Sequence, residues 1–282
     1  MKTALLPGSH APGAASAGPS AWHNALRVLR RANPALWGTG WANMALAGLA
    51  LAGLALDQRL VTGALVWLKP LKFSLSIAAF AWTLGWLLAD LPAAAQRGVR
   101  RLSWGVAASM AVEQGAIFLQ AARGTTSHYN VRSAFDGALF GTMGVFIALN
   151  TAMTGWAVYL AWRYRPHGPA AYAWGLRLGL GLFLVGSALG GVMIQRLQHT
   201  VGAPDGGPGL PGLGWSTRAG DLRAAHFLGL HALQALPLLG WALVRWVPRR
   251  AVLLTWVGAA LYALSVGGLL ALALAGRPLW AR

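Results

Sequence analysis

Cysteine is absent from this chain, which excludes disulfides, thiolate metal sites, cysteine nucleophiles and covalently attached c-type haem. Charge is nearly as scarce. Charged residues make up 10% of the 282 positions, against about 25% in a soluble globular domain, and that deficit argues for lipid rather than water as the solvent. Acidic residues number six, and Glu113 is the sole glutamate among them. Several catalytic signatures are missing too. No serine sits in a strand-to-helix nucleophile elbow, no H-E-x-x-H segment occurs, and no phosphate-cradling glycine loop precedes a lysine.

What the chain has in abundance is apolar surface. Hydrophobic residues reach 56%, gathered in long runs separated by short stretches of Arg, Pro, Gly and His, the spacing of a helical bundle that threads a bilayer. The expected fold is therefore an all-α integral membrane protein of seven transmembrane helices, spanning residues 35–56, 64–89, 101–122, 135–162, 173–197, 222–247 and 252–275. Asn33 and Pro34 suit the start of the first span, because proline fits the first helical turn. Residues 1–32 begin with an Ala/Gly/Pro/Ser-rich stretch that lacks the apolar core of a signal peptide, and they read as a disordered or interfacial cytoplasmic segment. Residues 33–282 form one membrane domain with a long outer loop at 198–221.

Orientation follows from the basic residues near span ends. With the amino terminus inside, the inner segments collect Lys2, Arg27, Arg30, Arg31, Arg97, Arg100, Arg101, Arg163, Arg165, Arg245, Arg249 and Arg250. The outer segments collect Arg59, Arg123, Arg132, Arg196, Arg218, Arg223, Arg277 and Arg282, partly offset by Asp57, Asp136, Asp205 and Asp221. The bias favours an inside amino terminus and, with seven spans, an outside carboxyl terminus. A net charge of +17 does not point to nucleic acid, since the basic residues are scattered at span ends rather than gathered on one face. Membrane lipids and a small-molecule ligand at the outer face are the expected partners. The richness in Ala, Leu, Gly, Arg and Trp suggests a GC-rich bacterial genome and hence a multi-pass protein of the bacterial inner membrane. Fifteen tryptophans fit interfacial belts, and glycines such as Gly179, Gly181, Gly190 and Gly191 fit close helix contacts.

Unusual polar residues concentrate on the outer side, in the segment Arg123 to Asn130 and in the loop from Gln198 to Asp221. That loop reads either as a flexible connector or as a structured lid over a cavity. Asp221 is placed to cap the sixth helix. With a rise of about 1.5 Å per residue, Glu113 lies about 14 Å from the outer end of its span, His231 about 13 Å and Lys72 about 12 Å. Three ionisable groups on three helices thus share one level. Because a charge in hydrocarbon costs at least a few kcal/mol, such residues face the bundle interior, pair with one another or line a wet cavity. A Lys72–Glu113 ion pair that merely locks two helices is the bland alternative, and lysines that snorkel outward would leave Glu113 in need of another partner.

The sequence therefore nominates an outward-facing polar pocket of Lys72, Glu113, His226 and His231, with Glu113, His231 and Lys72 as the reacting groups. His226, His128 and His199 are candidates for holding a cofactor, and His226, His231 and Glu113 for holding a metal. The cofactor is left open between a transition metal and a b-type haem. His226 and His231, five residues apart, diverge by about 140° on a helix and do not chelate one ion by themselves. Three functions compete: a membrane enzyme or oxidoreductase, a transporter or proton-coupled carrier, and a sensor or scaffold without chemistry. Seven spans with an intramembrane lysine invite comparison with rhodopsins, but the lysines lie on the second span and the seventh has none.

Overall fold

The computed structural model describes residues 28–280; the expected amino-terminal segment lies outside them up to residue 27, as do Lys2, Arg27 and Arg282. Seven long helices follow in order: α1 (Pro34–Leu56), α2 (Leu68–Ala89), α3 (Gln96–Ala122), α4 (Ala134–Arg163), α5 (Ala170–Arg196), α6 (Leu222–Trp246) and α7 (Ala251–Leu274). Each is long and apolar enough to cross a membrane, and the chain is an all-α bundle consistent with an integral membrane protein. We call the side on which α1 begins the near face and the opposite side the far face.

Local chemistry sets most boundaries. Asn33 accepts from the backbone N–H of Leu36, and Pro34 occupies the first turn of α1. The second helix starts at Leu68 rather than 64, because residues 60–65 close a two-residue hairpin, β1 (Leu60–Val61) on β2 (Ala64–Leu65). Its turn has positive φ at both Thr62 and Gly63, the mirror-type turn that matches strand twist. α3 begins five residues earlier than expected, since a 3₁₀ turn at Ala93–Ala95 leads straight into it. Arg97, Arg100 and Arg101 are therefore helical. Asp221 accepts from Arg223 N–H and caps α6, as its position in the sequence implies.

α5 and α6 meet almost backbone to backbone. A Cβ added at Gly186 would come within 2.7 Å of the Gly229 carbonyl carbon, and one at Gly179 within 2.6 Å of the Ala232 oxygen. Small residues permit this approach, which gains dispersion and backbone contacts where lipid supplies no hydrophobic drive. Of the glycines named from sequence, Gly179 serves this contact and Gly190 makes room for the His226 ring. Gly181 and Gly191 have open space around them.

The near half holds the main apolar core, where Leu84, Leu88, Leu102, Leu176, Leu180 and Leu233 are fully enclosed. Phe80 of α2 and Phe183 of α5 stack within it, centroids 5.1 Å apart. Burying such side chains contributes about 1.5–3 kcal/mol each when water is the reference. Most tryptophans on the helices, among them Trp41, Trp86, Trp162, Trp241 and Trp246, also lie toward the near ends. The aromatic belt is thus lopsided.

Candidate functional site

The far face is built differently. Between α3 and α4 the chain does not simply span the gap: residues 123–133 turn back into the bundle, burying Ser127 and Asn130. Asn130 holds the turn by donating to Thr126 O at 3.0 Å and Thr125 Oγ1 at 3.2 Å, while its oxygen accepts from Arg132 N–H. Tyr129 adopts a left-handed φ of 58° there. Irregular backbone at such depth is tolerated where protein surrounds it.

This inward turn brings His128 to Glu113. Glu113 sits nine residues before the end of α3, about two and a half turns down, and is 5% exposed. Its Oε1 lies 3.2 Å from His128 Nε2. An ionised carboxylate only accepts, so Nε2 carries the proton and Nδ1 presents its lone pair. Two donors approach that lone pair, Lys69 Nζ of α2 and Ser127 Oγ, each at 3.1 Å. The rings of Phe73, Tyr129 and Phe140 surround the imidazole at 5.7–6.4 Å between centroids. Burial pushes the His128 pKa below its ordinary value and the Lys69 charge pushes the same way, against the opposing pull of Glu113.

One acceptor in this cluster is unused. Glu113 Oε2 is buried without a hydrogen-bond partner, where an unsatisfied neutral acceptor already costs about 1–3 kcal/mol and a charged one more. Gln114, beside it, donates to Ser74 Oγ at 2.6 Å and to Pro70 O at 3.3 Å, and its own oxygen is likewise unpaired. The site therefore offers acceptors to an incoming donor and a path from Glu113 through His128 to Lys69 along which a proton can pass.

The other sequence-nominated residues divide. Lys72 does not share the level of Glu113. With α2 beginning at Leu68 it lies about 6 Å from the helix end, and its ammonium donates to Leu213 O in the far-face loop at 3.3 Å. The Lys72–Glu113 ion pair is not formed, and His128 takes its place. His226 Nδ1 meets the Gly186 carbonyl at 2.7 Å. His231 stacks edge-on against Phe227, 4.1 Å between centroids, and approaches Gln234, which reaches Thr83 of α2 at 3.4 Å. His226, His231 and Glu113 do not assemble as a metal-binding set, and among the described residues no group of three such ligands does. The physical reason is divergence: the two histidines leave α6 in different directions, and Glu113 is claimed by His128.

His199 belongs to a second cluster. Its Nδ1 lies 3.3 Å from Asp205 and 3.8 Å from Asp221. Arg223 binds both Asp221 oxygens, at 2.9 and 2.7 Å, and also donates to Gly214 O. With Asp221 Oδ2 accepting from Ser216 N–H and a strand pair joining β3 (Thr200–Val201) to β4 (Gly220–Asp221), the 198–221 loop is an ordered cover rather than a loose connector. Burial pushes His199 below its ordinary pKa, aided by the Arg223 charge. Burial would raise Asp221, but hydrogen bonding and charge from Arg223 outweigh it and hold the carboxyl low. Tyr129 is pushed up to about 12 by burial and by the charge of Asp205.

Sequence reasoning missed Lys69 and Ser127, which meet the His128 ring that pairs with Glu113. The available signal was the density of polar residues from Arg123 to Asn130, which spacing alone could not tie to a helix position far below it. Comparison with protein-family models, with characterised proteins and with solved structures gave no match.

Proposed function

We propose that the chain is a multi-pass protein of a bacterial inner membrane, with its near face in the cytoplasm, and that its far-face site binds a small ligand and exchanges a proton with it in an acid–base reaction. The carrying observation is Glu113: a buried carboxylate, one oxygen committed to His128 and the other free. Glu113 is the base, His128 holds and relays the proton, and Lys69 supplies the positive charge that keeps the cluster balanced. The ordered 198–221 loop shields the site and, through Lys72, is fastened to α2.

The test is a thermal-shift screen of small polar compounds against the detergent-purified protein. Compounds that stabilise the native chain should lose most of their effect, roughly tenfold or more in affinity, with Glu113→Gln, which keeps shape but removes the charge. A variant that responds like the native protein to every hit removes Glu113 from the site and the reading with it.

A second reading, proton-coupled transport, draws on one observation. By helix rise, three polar groups lie deeper than Glu113: the partly buried Gln234 and Thr83, 3.4 Å apart, and the buried Asn150. Chains of this kind serve as proton relays in carriers. Liposomes containing the protein would move protons under a gradient on this reading and would stay tight on the first.

A further inference from the structure

The near face carries a site of its own. A small open cleft lies there, lined by Trp86, Trp241, Tyr172, Pro169, Val28 and Asp90. Asp90 follows the last residue of α2 and is 8% exposed. Its Oδ2 accepts from Gly168 N–H at 3.0 Å, and its backbone carbonyl accepts from His167 N–H at 3.2 Å and lies 2.6 Å from His167 Nδ1. The loop between α4 and α5 is thereby tied to the end of α2. Oδ1 has no hydrogen-bond partner among the described residues.

A carboxylate in this place is electrostatically odd. Helix carbonyls at the end of α2 already present negative potential, and anions belong at the opposite terminus. Burial adds to the imbalance and pushes Asp90 above its ordinary pKa. A cation would relieve both effects. The walls indicate which kind. Indole and phenol faces attract organic ammonium groups, whereas a divalent metal needs several oxygen ligands and this cleft brings one carboxylate. Trp86 and Trp241 are partly exposed and lie within about a turn and a half of the near ends of α2 and α6. Arg245 lies over the Trp241 ring at 5.2 Å, within reach of an anion beside the same wall. Ammonium and phosphate recognition are thus adjacent.

We infer that this near-face cleft binds the headgroup of an aminophospholipid, with the ammonium held between Asp90 and the aromatic walls and the phosphate turned toward Arg245. The acyl chains then run down the lipid-facing side of α2 and α6. The inference goes beyond the far-face reading and does not depend on Glu113.

Native mass spectrometry of the full chain, delipidated and then titrated with phosphatidylethanolamine or phosphatidylglycerol, tests it. The native protein should retain the ethanolamine lipid about tenfold more strongly, as expected for one desolvated cation contact. Asp90→Asn, which still accepts from Gly168, should abolish the preference, and Trp241→Leu should reduce it. Helical circular dichroism monitors the fold of both variants. Should Asp90→Asn fail to fold, the native preference and its reduction by Trp241→Leu still decide the matter. Equal binding of the two lipids by the native chain overturns the inference, as does a preference untouched by either variant. Glycerophosphoethanolamine without acyl chains should compete poorly; if it competes as well as the lipid, the cleft serves a soluble amine and the lipid assignment falls.

Discussion

The two halves of this bundle bury different things. The near half encloses leucines from α2, α3, α5 and α6 around the Phe80–Phe183 stack, and its stability comes from shape. The far half encloses Glu113, Gln114, Ser127, Asn130, Asp136 and Asp221, and each must find a partner or remain unsatisfied. Apart from Asp90 at its rim, the near core can tolerate a change of pH or charge but not a void. For the far half the reverse holds, because its contacts are made of protons and charges. Buried ion pairs and hydrogen bonds are thus concentrated in the far half and the leucine core in the near half.

The largest way to break that contrast is a cavity. Leu84→Ala removes a fully enclosed side chain from the near core and should cost about 2–5 kcal/mol in unfolding free energy, read from denaturation in mixed micelles. His128 titration, followed by NMR of labelled imidazoles, should not move. A shift in His128 would mean that the two halves are coupled and the contrast is false.

A smaller effect is expected from the cover. Asp221→Ala deletes the α6 cap together with the Arg223 and Ser216 bonds, and loss of a cap costs about 0.5–2 kcal/mol. Hydrogen exchange should quicken in residues 198–221 and at the start of α6 while the near half keeps its protection. If the loop exchanges no faster, its order does not come from Asp221.

The smallest effect comes from acidification. His128 and His199 both have pKa values below the ordinary histidine value of 6.5, so the folded state favours their neutral forms. Their contribution is complete above pH 6.5 and is lost as pH falls through the folded values. The carboxylates Asp57, held low chiefly by its hydrogen bond from Arg59, and Asp221 follow the same sign in a separate window nearer pH 4. Lowering pH from 7.5 to 5.5 should therefore reduce protection in 123–133 and 198–221 and leave the Leu84 region unchanged. A uniform loss over both halves would contradict this picture.

Much of the architecture was legible in the residues themselves. Seven spans follow from apolar runs of sufficient length, and Asn33–Pro34 and Asp221 mark helix starts through local hydrogen bonding. Glu113 was identifiable as a focus because a lone intramembrane carboxylate demands a partner. The identity of that partner was not. Helix-rise arithmetic assigned Lys72 to its level by beginning α2 at 64, and the hairpin at Leu60–Leu65 moved the lysine outward. His226 and His231 were grouped with Glu113 by depth, yet depth does not specify direction around a helix.

Sequence by itself determined what depends on neighbours along the chain: span count, helix caps, the scarcity of charge and the solvent that scarcity requires. Only tertiary structure decided what depends on residues distant in sequence. The inward turn at 123–133 pairs His128 with Glu113 and Lys69, and the tie from Asp90 to Gly168 joins two loops 78 residues apart. Such contacts form when helices close around a loop and leave its polar groups no water to bind, so their partners are set by geometry rather than by spacing.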